Sequence, residues 1–76
     1  MSKVLGILTQ IRPEFDFSAS DDFFEDGLLD SFDLVTLVSE IDQTYGVSID
    51  GMDIVPANFA NVPAIEALLV RNGVTP

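Results

Sequence analysis

DSFDLVTLVSEIDQTYG, residues 30–46, is the stretch whose reading decides the fold. Val35, Val38, Ile41, Asp42 and Tyr45 share one side of a helix, and Leu34, Leu37 and Ile41 widen the apolar arc. Asp33, Thr36, Ser39, Glu40 and Gln43 supply the more polar surface. Gly46 is the stop signal. The start admits two readings. Ser31 is a favoured N-cap, but then the third helical residue is Leu34 and no reciprocal box forms. With Asp30 as cap that position falls on Asp33, both acids lie where the helix dipole favours them, and Ser31 keeps a free hydroxyl.

Outward from this helix, the remaining elements are shorter. Val4, Ile7, Leu8 and Ile11 have helical spacing, and Pro13 stops the run, so a helix is expected from about residue 3 to 12 with Ser2 as cap. Arg12 lies at its negative end. Residues 13–30 carry Phe15, Phe17, Phe23, Phe24, Leu28 and Leu29 among acids. They read as a long loop pinned by aromatics, with one helical turn near Asp21 to Glu25 and a bend at Asp26-Gly27. Residues 50–61 predict a short helical piece around Asp53 to Val55, with Phe59 as a core plug. VPAIEALLVRN is the last helix, capped by Asn61, with Pro63 in its first turn, Gly73 at its end, and Ile65, Leu68 and Leu69 facing inward. The expected fold class is all-α: one domain over residues 1–76, a small four-helix bundle with three long helices and a short third one.

Composition narrows the function. Of 76 residues, 13 are acidic and 3 basic, giving a net charge of −10. Such a surface repels phosphate backbones and anionic lipid and steers partners with basic patches. No stretch reaches the roughly 18 apolar residues of a membrane span, and no signal-peptide pattern opens the chain, so a cytoplasmic location is expected. The chain has no Cys and no His, which excludes disulfides, thiolate chemistry and a Ser-His-acid triad. A reactive Ser31 would need activation by another protein. A calcium loop is mimicked by Asp22, Asp26, Gly27 and Asp33, but Phe24 takes a liganding position and Asp33 replaces the final Glu, so no metal site is expected.

Asp30-Ser31-Phe32 resembles the phosphopantetheine attachment site of acyl, peptidyl and D-alanyl carrier proteins. Phe24 and Leu28 stand where carriers keep apolar anchors. Val35, Leu37 and Val38 correspond to the apolar heart of their second helix. Ile41, Tyr45, Gly46, Val47 and Ile49 are similar to its Phe-Gly-Ile-x-Ile ending, and residues 54–69 to the third helix, linking loop and fourth helix. The resemblance implies that Ser31 accepts 4′-phosphopantetheine from coenzyme A through a separate phosphopantetheinyl transferase, with Asp30 assisting. It implies a non-catalytic carrier that holds acyl, aminoacyl or peptidyl groups as thioesters and presents them to loading enzymes, acyltransferases and synthases. Phe32, Asp33, Asp26 and Glu40 would form the docking face. Thr36 and Ser39 replace an acid and an apolar contact of fatty-acid carriers, which brings the pattern closer to carriers of specialised pathways. The competing reading is an unmodified helical adaptor that binds proteins through the same acidic face.

Overall fold

A computed structural model describes residues 3–76. These residues form three α-helices: α1, Val4–Ile11; α2, Ser31–Tyr45; and α3, Val62–Arg71. Three 3-10 turns lie between them, at Phe17–Ala19, Gly51–Asp53 and Pro56–Asn58. The all-helical expectation holds, but the short third helix becomes two separate 3-10 turns. Two local causes account for this. The Asp50 carboxylate accepts the Met52 N–H at 2.8 Å and closes the first turn. Val55, which precedes Pro56, is held extended at φ −129°, ψ 150°, where an α-helix cannot pass.

α1 and α2 run antiparallel. The Lys3 N–H donates to the Tyr45 hydroxyl at one end of the pair, and Arg12 meets Asp33 at the other. Ser2, the expected cap of α1, lies outside the described residues; Lys3 occupies the cap position without a side-chain bond. Arg12, ahead of Pro13, leaves the helical region and ends the element. α2 ends at Gly46, whose φ of 67° is the left-handed conformation glycine adopts at little cost. At the start of α3 the Asn61 side chain accepts the Ala64 N–H at 2.8 Å, while its amide donates to the Asp21 carbonyl at 2.9 Å. One residue thus caps a helix and ties it to the loop before α2.

Val4, Ile7, Leu8, Leu34, Leu37, Val38, Ile41, Ile65, Leu68 and Leu69 form the interhelical core, joined by Phe17, Phe23, Leu29, Ile49 and Phe59. Two positions on α2 differ from the sequence reading. Val35, expected in the core, is exposed, and Asp33, expected on the polar surface, is buried. The buried stripe centres between Leu37 and Val38. At 3.6 residues per turn Val35 lies roughly 110° from that centre, whereas Asp33 falls on the flank facing α1. A partner directly after α1, Arg12, makes that flank tolerable for a carboxylate.

The loop over residues 13–30 is anchored as the aromatics predict. Phe17 and Phe23 are buried and meet edge to face, with ring centroids 5.1 Å apart. The expected helical turn is closed by the Asp26 N–H to the Asp22 carbonyl at 3.0 Å. The Asp22 carboxylate caps it through the Phe24 and Glu25 amides. Gly27, at φ 76°, turns the chain toward α2.

Candidate functional site

The first turn of α2 joins charge, an exposed hydroxyl and exposed apolar surface. Asp30 is extended and serves as the cap, its carboxylate accepting the Asp33 N–H at 2.8 Å. The Asp33 carboxylate accepts the Asp30 N–H at 3.3 Å, so two orphan amides are satisfied reciprocally. Of the two caps the sequence allows, the fold uses Asp30.

Ser31 is therefore the first helical residue, and it is exposed. Its hydroxyl has no hydrogen-bond partner among the described residues. Thr9, Ser18, Ser20 and Thr36 each donate to a protein oxygen, whereas the exposed Thr44 and Ser48 hydroxyls, like that of Ser31, do not. Phe32 is 76% exposed and Val35 66%, so an apolar pair one turn apart stands beside Ser31.

Asp33 is 5% exposed and faces inward. Arg12 Nε lies 3.2 and 3.1 Å from its two oxygens, and Nη2 lies 3.1 Å from Oδ1. The expectation that Asp33 belongs to a docking face is corrected here, because its carboxylate is occupied inside the fold. Asp26 is exposed on the loop and accepts the Ser20 hydroxyl at 2.6 Å. Glu40 lines a shallow groove between α1 and α2 with Gln10, Thr36 and Phe32, nine residues, or about 14 Å of helix, beyond Ser31. The first turn thus unites Asp30, Ser31 and Phe32, withdraws Asp33, and leaves Asp26 on the preceding loop and Glu40 more than two turns along the helix.

Sequence reasoning missed Arg12 and Val35 as parts of this site. Arg12 is one of only three cations, placed at the end of α1. In so acidic a chain, that scarcity was the signal that it pairs with a specific carboxylate.

The Asp30 carboxyl is held below its ordinary range, first by the Asp33 backbone N–H and also by the Arg12 charge, against an opposing desolvation effect. A folded-state pKa below the unfolded value contributes stability that is present above the unfolded value, near pH 3.9, and is lost as pH falls through the folded one. Below about pH 4, the melting temperature of the wild type is therefore expected to fall more steeply than that of Asp30→Asn, whose cap does not titrate. Thermal melts from pH 7 to pH 2 check this, and parallel acid limbs would contradict it. Arg12 is pushed further up by its hydrogen bond to Asp33 and then by that residue's charge, so it stays protonated throughout.

A family model described as a phosphopantetheine attachment site matches residues 1–69, and the chain belongs to that family. Members are small carrier domains, generally non-catalytic, and their cofactor is 4′-phosphopantetheine, covalently attached. No curated protein and no solved structure matches the chain. No helix among the described residues is long and apolar enough to cross a membrane.

Proposed function

We propose that the chain is a carrier protein in which Ser31 Oγ bears 4′-phosphopantetheine and the loaded arm presents acyl, aminoacyl or peptidyl groups to partner enzymes. The observation that carries this reading is the exposed Ser31 hydroxyl, left without a partner because Asp30 caps the helix. The residues fit the group. A phosphodiester on the first helical residue sits at the positive end of the α2 dipole, with open solvent for the arm.

In the modification, Ser31 Oγ forms a bond to phosphorus as the pyrophosphate bond of coenzyme A breaks. The nucleotide half leaves, and the serine proton passes to a base on the transferase. Asp30 is ionised at neutral pH and stands next to the acceptor, where it can meet the transferase's divalent metal. The cofactor supplies a terminal thiol, which a chain without Cys otherwise lacks, to carry cargo as a thioester. Phe32 and Val35 give a partner an apolar contact, and Asp26 and Glu40 border it with charge suited to a basic enzyme surface. Loading enzymes, acyltransferases or synthases of that kind gain from the tether a high effective concentration of substrate.

The test is intact mass before and after incubation with coenzyme A, magnesium and a broad-specificity phosphopantetheinyl transferase, followed by mapping of the modified peptide. One phosphopantetheine on the peptide containing Ser31 is expected. No gain of mass, with a control carrier modified in parallel, would instead favour the unmodified adaptor, acting through Phe32 and Val35.

A further inference from the structure

The three cations are unequally placed around the first turn of α2. Lys3 lies at the opposite end of the helix, with Nζ 5.8 Å from the Tyr45 ring centroid. Arg71 closes the last turn of α3. Arg12 alone, among the described residues, bonds to the Asp30–Asp33 box, and its Nη1 makes only a 3.8 Å contact with Glu14. Arg12 and Asp33 also line both shallow grooves that meet there, one along α1 and α2 and one under Gly27 and Leu29.

We infer that Arg12 is the positioning residue for modification at this site: its fork fixes Asp33, Asp33 fixes Asp30 as the cap, and Ser31 is thereby left with a free hydroxyl. The inference rests on Ser31 being the attachment residue. Its physical core is a competition between caps. Ser31 is itself a favoured N-cap, one residue along from Asp30. Asp30 wins while Asp33 can stay buried and return a bond to the Asp30 N–H, and a buried carboxylate stays put only if a charge partner meets it. Without Arg12, Asp33 turns toward water, the box opens, and the Ser31 hydroxyl takes up capping. The acceptor oxygen is then engaged and misdirected before the transferase arrives. Asp30 and Asp33 also place two negative charges near the position that receives a phosphoryl group, and Arg12 offsets them.

The experiment compares transferase kinetics on wild type, Arg12→Gln, Arg12→Lys and Leu68→Ala, each assayed below its melting temperature. Leu68 is fully buried on α3, outside the site, and serves as a destabilised control. For Arg12→Gln, kcat is expected to fall roughly tenfold or more, the scale of a misplaced reacting group, with faster hydrogen exchange at the Asp33 amide. Arg12→Lys keeps the charge but cannot span two carboxylate oxygens, and a severalfold lower kcat is expected. Leu68→Ala is expected to retain the wild-type kcat. A wild-type kcat in folded Arg12→Gln overturns the inference, as does an equal loss in Leu68→Ala. Should Arg12→Gln fail to fold, a wild-type kcat in Arg12→Lys overturns it. An unmodified wild type removes the underlying Ser31 reading, whereas a modified wild type with indifferent Arg12 variants removes only this inference.

Discussion

A Ser31→Ala chain is expected to take up no phosphopantetheine and yet to melt where the wild type does. The first half follows from the exposed, unpartnered Ser31 hydroxyl being the proposed acceptor. The second half follows from the cap. If Ser31 satisfied the free amides of α2, its loss would cost about 0.5–2 kcal/mol. In a domain of this size that lowers the melting temperature by about 4–8 °C for each kcal/mol. Asp30 makes the capping bond instead, and alanine at the first helical position gives up no bond and gains helix propensity. An exposed change of this kind stays within about 0.5 kcal/mol of neutral. Calorimetry and intact mass on the same sample separate the possibilities. A drop of several degrees would return the capping role to Ser31. Mass gain by the variant would move the attachment elsewhere.

That outcome depends on a choice between caps that pattern alone left open, and the reason is physical. A Ser or an Asp before an apolar run satisfies the same amides, so the decision passes to the third helical residue. Asp33 takes part only because Arg12, 21 residues earlier, meets it in space. Periodicity within α2 shows an apolar stripe, but the stripe's edges depend on what packs beside it. Val35 lies past the edge and is exposed; Asp33 lies on the edge that faces a cation and is buried. The helices themselves were legible because their ends are marked by local chemistry: Pro13, Gly46, Asn61 and Gly73 all act where the sequence places them. The 3-10 turns were legible only in part, as one short helical piece expected around Asp53 to Val55 where turns at Gly51–Asp53 and Pro56–Asn58 form. The turn at Phe17–Ala19 is closed by the Asp16 carboxylate on the Ser18 N–H, inside a stretch whose alternation also suits a strand.

Phe23→Ala is expected to cost about 3–5 kcal/mol, the scale for emptying a fully buried aromatic site. At roughly 0.05–0.15 kcal/mol per residue, a chain of this length has about 4–11 kcal/mol in all. The variant therefore loses about a quarter of its stability or more, and at the lower end of that range it unfolds. Phe24→Ala, one residue along and only half-buried, is expected to cost about 1 kcal/mol. The contrast matters because Phe23 joins the loop to both neighbours. Its ring packs edge-on against Phe17, its N–H donates to the Ala60 carbonyl, and its own carbonyl accepts the Leu28 and Leu29 amides. Leu29 is followed directly by Asp30, so the ring that fills the core also fixes the path of the chain into the cap. Denaturant melts of the two variants measure the difference, and equal costs would show that the loop is held elsewhere. If Phe23→Ala remains folded, the loosening should reach the first turn of α2, with faster amide exchange at Leu28 and Leu29 than in Phe24→Ala. The hydroxyl proposed to receive the cofactor would then owe its position to an aromatic eight residues upstream as well as to the helix that bears it.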